Sequence, residues 1–310
     1  HHDTKRAGWG VSARGTLVTM SAGSHDSFAP HGPGDLHLHS DHSDGTEPPS
    51  AVMAAAHRHG IRTAALTDHD TTSGWAEAAD AAVSLGMSFL PGMELSARHE
   101  WRSVHVLAYL VDPENADLRA LTDRIRESRL TRARTMADRI GRDYDLTWED
   151  IEEQTAEGAT VGRPHIADAL VARGHVRDRG EAFGGILSPA SEYYVALYAP
   201  DPVTAVAAVS AAGGVPVIAH PAGRAGLLPT RIVRGMLGAG LAGFELGHRE
   251  NAEPALGELR RLVADRGLIA TGSSDYHGRG KPNIPGENTT SEEMIDRIVA
   301  LGTGSSLVTP

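Results

Sequence analysis

The chain has 310 residues, 40% of them hydrophobic and 22% charged, with 35 Gly, 17 Pro and no Cys, a composition that excludes collagen, a disulfide scaffold, thiolate metal sites and cysteine nucleophiles. Acidic residues outnumber basic ones 40 to 29, for a net charge of −11, which argues against a grip on extended duplex nucleic acid. All but two of the basic residues, Lys5 and Lys281, are arginines, suited to bidentate contact with phosphate or carboxylate.

Residues 1 to about 33 are rich in Gly, Ser and His without periodicity, and His1 with His2 reads as the stub of a purification tag. The start lacks the apolar core of a signal peptide, and no apolar run approaches the ~20 residues that span a bilayer, so a cytoplasmic protein with no membrane partner is expected. From Gly34 the pattern becomes regular: a strand over 35–40, a helix opened by Pro48 and Pro49 and closed by Gly60, a strand over 61–67, a helix over 73–85, and extended runs over 87–96 and 104–111. Helical patterns then dominate, over 118–140, 147–155, 163–173 and 179–187, which reads as an insertion. Alternation resumes with a helix over 203–212, a strand over 215–220, a helix near 230–237, a strand over 242–246, a helix over 252–266 and a strand over 268–273. Such alternation implies an α/β fold with a parallel sheet, and its persistence through both halves suggests a barrel. The organisation expected is an N-terminal arm (1–33), a barrel assembled from 34–115 and 199–310, and an inserted helical domain over 116–198 that caps the substrate.

Acidic and imidazole side chains gather at the strand ends. His37 and His39 lie two apart, so on a strand both rings face one side. Asp44 follows in the next turn, His69 ends the second strand, Glu94 the third, His105 lies in the fourth, His220 ends VIAHP, and Asp275 and His277 follow the last strand. The C-terminal strand ends of a barrel surround one pocket, so these nine residues are expected to converge. Nine ligands are too many for one ion and fit two or three divalent ions. Imidazole mixed with carboxylate suits Mn, Fe or Zn. Asp68 and Asp70 are expected to orient imidazoles, and His42, His57, His59, His99 and His248 to be surface or loop residues.

The strings DLHLHSDHSDG, LTDHD, PGMELS, VHVLAY, VIAHP and GSSDYHG resemble the polymerase and histidinol phosphatase (PHP) family of metal-dependent phosphoesterases. The stretch 127–140 and GRPHIA at 162–167 are similar to the branch that hydrolyses nucleoside 3′,5′-bisphosphates and trims short RNA. The resemblance implies a distorted (β/α)7 TIM-like barrel with a small inserted helical domain. It implies a first metal site of His37, His39, Glu94 and Asp275, a second sharing Glu94 with His105 and His220, and a third of Asp44, His69 and His277. Members often have histidine where Asp44 stands, so an aspartate there weakens or retunes that third ion. His69, His277 and Asp275 would be catalytic, and Arg129, Arg132, Arg163 and His165 would bind substrate phosphate. The implied partner is a small phosphorylated substrate, a nucleotide or short RNA. Histidinol phosphate is a rival substrate. A proofreading nuclease is disfavoured by the net acidity, and a non-catalytic metal-binding module by the presence of all nine ligand positions.

Overall fold

In the computed structural model, which describes residues 32–223 and 225–310, strand β1 (Gly34–Leu38) pairs in parallel with β2 (Thr63–Leu66), and β2 with the short β3 (Ser88–Phe89). Helices α1 (Pro49–Arg58) and α2 (Trp75–Ser84) make the two crossovers. Pro49 stands at the first turn of α1, where a missing N–H costs nothing, and Gly60, at φ +81, turns the chain into the next strand. The expected tag stub and most of the N-terminal arm lie outside the described residues.

The second sheet holds β4 (Gly92–His99), β5 (Arg102–Tyr109), β6 (Val215–Ile218), β7 (Gly243–Gly247) and β8 (Ile269–Gly272), in that order. The expectation of parallel strands throughout needs a correction: β5 runs antiparallel to both of its neighbours, while β6, β7 and β8 pair in parallel. Two residues, Glu100 and Trp101, link β4 to β5, too few for a parallel crossover, and Glu100 takes φ +53 to close the turn. The two sheets meet through isolated parallel bridges, His69 to Glu94 and Leu38 to Tyr276, so β4 and β8 continue the direction of β1 and β2. All strands except β5 therefore end on one side.

Between β5 and β6 run α3 (Ala116–Ile140), α4 (Trp148–Glu152), α5 (Arg163–Ala172), α6 (Arg179–Gly184) and α7 (Pro202–Ala211). Met136, Ile140, Ile151, Ile166, Leu170 and Leu187 form an apolar cluster of their own inside this helical stretch. The remaining helices, α8 (Thr230–Gly238), α9 (Ala255–Arg266) and α10 (Glu292–Leu301), flank the strands. The period of two sorts β5: Leu107 and Tyr109 join one core with Leu36, Val217 and Ile269, while Val104 and Val106 join another with Phe244 and Ile218. Sequence periodicity did not mark α10, which Ser291 caps through Met294 N and which buries Ile295 and Ile298 completely, each worth about 1.5–3 kcal/mol. Among the described residues no helix is long and apolar enough to cross a membrane.

Candidate metal centre

His37, on β1, and His39, one residue beyond it, are fully buried, and their Nε2 atoms lie 3.1 Å apart. Glu94, on β4, is the hub. Its Oε2 lies 3.2 Å from His37 Nε2, 3.0 Å from His39 Nε2 and 3.3 Å from His69 Nδ1, whereas its Oε1 lies 2.7 Å from His105 Nδ1 and 3.4 Å from His220 Nε2. Asp275 Oδ1 faces His37, His39 and His277, each at 3.4 Å. Asp44 reaches His277 Nε2 at 3.2 Å and His69 Nε2 at 3.6 Å. Three overlapping donor sets result, each with its atoms within 4.8 Å of one another: His37, His39 and Asp275; His69, Glu94 and His105; and His39, Asp44, His69 and His277. His220 joins through Glu94, so the structure brings all nine expected ligands to one place.

These donors fit divalent ions. The nitrogens His69 Nδ1, His105 Nδ1 and His277 Nε2 are buried without a hydrogen bond, although carboxylate oxygens lie near them. The close pairs thus have the distance but not the direction of hydrogen bonds, as expected of groups aimed at a common centre. His277 Nδ1 donates to its acceptor, the Asp275 carbonyl, at 2.8 Å, which leaves Nε2 with its lone pair.

The electrostatics follow from crowding and burial. Burial would lower His39, but the facing carboxylates of Asp275 and Glu94 raise it to about 9. Burial, with the charges of Lys281 and His39, depresses His277 to about 4. Burial would raise Glu94, yet His69, His105 and His37 hold it well below the usual carboxylate range. Backbone strain gathers here too: His220 and Asp275 adopt φ +31 and +56, in the left-handed region that a non-glycine residue rarely enters.

Three residues beside these ligands escaped the sequence reading. Glu245, on β7 and wholly buried, accepts from His37 Nδ1 at 2.9 Å and from His220 N at 2.8 Å, fixing the tautomer that leaves His37 Nε2 free. His248 is no surface residue: it is 5% exposed, with Nε2 3.4 Å from Asp275 Oδ2. It follows the end of β7, the position that carries ligands on the neighbouring strands, so the same rule could have found it. Lys281 places Nζ 2.6 Å from Asp275 Oδ2.

The two aspartates expected to orient imidazoles touch none. Asp68 accepts from Ser40 N, Ser40 Oγ and Ser43 Oγ at 2.8, 2.6 and 2.6 Å, gripping the loop after β1. Asp70 accepts from Ser96 N and Oγ and from Arg129 Nε at 2.7, 2.8 and 2.8 Å. His42 stays at the surface, bonded to Ser73 Oγ.

Arg129, Arg132 and Arg163 line one small recess with Gly162 and Ile166. Arg129 is committed to Asp70 and Ser96. Arg132 and Arg163 donate only to the carbonyls of Val195 and Leu187 and pack over Tyr194, with no carboxylate partner among the described residues. Burial and the Arg163 charge bring Arg132 down to about 9, and burial also lowers Arg163. His165 is held in place: its Nδ1 accepts from Gly162 N at 3.0 Å, its ring also bonds the Ser43 backbone, and it is 3% exposed. It latches the inserted helices to the loop after β1.

The PHP domain profile matches residues 35–161. A 3′,5′-nucleoside bisphosphate phosphatase of Chromobacterium violaceum is 37% identical over 257 residues, 80% of this chain and 88% of that protein. A 5′-3′ exoribonuclease of Haemophilus influenzae is 34% identical over 60% of this chain and 68% of its own length. A solved structure from Bifidobacterium adolescentis, assigned as a metal-dependent phosphoesterase, superposes with a TM-score of 0.85 at 40% identity, over 87% of this chain and 96% of that one.

Proposed function

The chain belongs to the PHP domain family, and from that membership and the geometry of the centre we propose that it is a metal-dependent phosphoesterase that removes the 3′-phosphate of nucleoside 3′,5′-bisphosphates and trims short RNA from its 5′ end. The strands, with β5 alone reversed, are read as a distorted TIM-like barrel formed by 34–115 and 199–310, and residues 116–198 as its cap. The observation that carries the reading is the division of Glu94, one oxygen toward His37, His39 and His69 and the other toward His105 and His220, which suits a carboxylate that would be shared by two ions.

Two or three Mn, Fe or Zn ions suit a donor set of imidazole and carboxylate. Bound there, such ions activate water and neutralise charge on the phosphoryl oxygens. His37, His39, Glu94 and Asp275 would hold one ion, His105 and His220 another with Glu94, and Asp44, His69 and His277 a third. His277, with its proton on Nδ1, offers a lone pair rather than a proton, so its part in catalysis, like that of His69, is to hold an ion in place. Glu245 keeps the His37 ring turned so that Nε2 faces inward. Arg132 and Arg163, buried and without a counter-charge, would take the phosphate that is not being cleaved, which selects a bisphosphate over a monophosphate.

The test is phosphate release from adenosine 3′,5′-bisphosphate, AMP, histidinol phosphate and p-nitrophenyl phosphate, with manganese and with chelator. The bisphosphate should be turned over with the highest kcat/KM, and only with metal. Equal efficiency on AMP, or preference for histidinol phosphate, would refute the assignment.

A further inference from the structure

The mechanism above leaves Lys281 unused, although it is the only lysine among the described residues and stands inside the ligand cluster. We propose that Lys281 contacts the phosphoryl group undergoing hydrolysis, while its bond to Asp275 Oδ2 keeps that carboxylate a one-oxygen ligand.

The two oxygens of Asp275 face different company. Oδ1 points at His37, His39 and His277, and Oδ2 at Lys281 Nζ, 2.6 Å away, and His248, 3.4 Å away. A carboxylate divided in this way has one oxygen for an ion and one spoken for. An ammonium carries three N–H donors, and Asp275 is the acceptor that the described residues supply to Lys281. The remaining donors belong to a side chain that is 36% exposed and lines a cleft of about 990 Å³ with Arg179 and Arg279 and with the acids Asp41, Glu153, Asp168 and Asp178. A cation held by one anionic ligand and open to the cleft is placed for a phosphoryl oxygen.

The loop is built to deliver it. After Asp275 the chain makes a 3-10 turn over Gly278–Gly280, with Gly278 at φ +63. A Cβ at Gly278 would collide with Thr46 Oγ1, and one at Gly280 with the Arg179 guanidinium. Asn283, 5% exposed, closes the turn by donating to the carbonyls of Ser274 and Asp275 at 2.6 and 3.2 Å. The residue type fits as well. A chain that otherwise uses arginine for nearly all its positive charge has here the compact ammonium, which reaches one oxygen among crowded ligands where a planar fork would not.

The proposal rests on the phosphoester reading but not on the preference for a bisphosphate. Wild type, Lys281→Met and Lys281→Arg, each loaded with manganese, are compared on adenosine 3′,5′-bisphosphate and on p-nitrophenyl phosphate. Bound metal is measured by mass spectrometry, and affinity for inorganic phosphate by calorimetry. For Lys281→Met we expect kcat/KM to fall about 10- to 150-fold on both substrates, the range of one charge-assisted hydrogen bond, with phosphate affinity weakened in step and metal content unchanged. Lys281→Arg should recover part of the loss. Should Lys281→Met fold poorly, Lys281→Ala with added propylammonium replaces it, and partial rescue is expected. Unchanged kcat/KM, a loss that tracks loss of bound metal, or no rescue by propylammonium would overturn the proposal. Failure of the bisphosphate reading shows differently, as equal efficiency of the wild type on bisphosphate and monophosphate.

Discussion

Replacing Arg132 by Met should make the protein more stable and less selective at once. Arg132 is 8% exposed, donates to the Val195 carbonyl, lies over Tyr194 and faces the charge of Arg163, with no carboxylate among the described residues to compensate. Burial and the Arg163 charge hold its folded pKa below the ordinary guanidinium value, so the fold disfavours the charged form. A guanidinium keeps its proton at neutral and mildly alkaline pH, so that cost is present there. Such a shift corresponds to a few kcal/mol, taking ~1.4 kcal/mol per pH unit. Met fills much of the same volume without charge, so thermal unfolding at pH 7 should move up by several degrees. On the catalytic side, a charge-assisted hydrogen bond to the second phosphate is worth about 1.5–3 kcal/mol, or roughly 10- to 150-fold in kcat/KM. The loss should appear on adenosine 3′,5′-bisphosphate and be less than about threefold on p-nitrophenyl phosphate, which has no second phosphate. A lower melting temperature together with an equal loss on both substrates would show that Arg132 is a structural strut.

Glu94→Gln should abolish turnover and reduce bound metal while leaving the far-ultraviolet circular dichroism unchanged, because the residue sits at a junction of ligands and not in an apolar core; activity in the metal-loaded variant near that of wild type would remove Glu94 from the centre. Glu245→Gln should weaken metal binding about 10- to 100-fold by loosening the His37 ring, checked by competition with a chelating indicator, and unaltered affinity would count against that role. His39, raised to about 9 in the metal-free protein, is protonated at pH 7 and must lose that proton to ligate. Metal binding should therefore release protons and tighten as pH rises from 7 to 9, and calorimetry in buffers of different ionisation enthalpy that finds no release would contradict this.

The ligands were legible because each is tied to a local rule. His37 and His39 are two apart on a strand, and the others follow apolar runs short enough to be strands, so convergence needed only the fold class. Glu245 was hidden because a single acid inside the apolar run of β7 carries no spacing signal, and what it does depends on His37, some two hundred residues away. Lys281 was hidden for a related reason: its place is set by a turn of two glycines whose geometry has no periodicity. The reversal of β5 could not be read because its hairpin turn, Glu100 and Trp101, lacks the Asn-Gly or Asp-Gly pair that marks such turns. The arginines illustrate the opposite limit. The resemblance put Arg129 and Arg132 together, but only the structure separates Arg129, neutralised by Asp70, from Arg132, which has no anionic partner among the described residues.

The tie between Arg129 and Asp70 has a consequence for how such proteins could be recombined. Asp70 is 1% exposed and its carboxylate leans on an arginine that belongs to the inserted helices, so the insert neutralises a charge buried beside the strands. Cutting out residues 116–198, or grafting the helices of a relative with a neutral residue in place of Arg129, would leave that carboxylate stranded, a loss on the order of 3–5 kcal/mol. The helices therefore cannot be treated as an interchangeable attachment for changing specificity. A viable chimera must carry Asp70, Ser96 and Arg129 from one parent as a linked set.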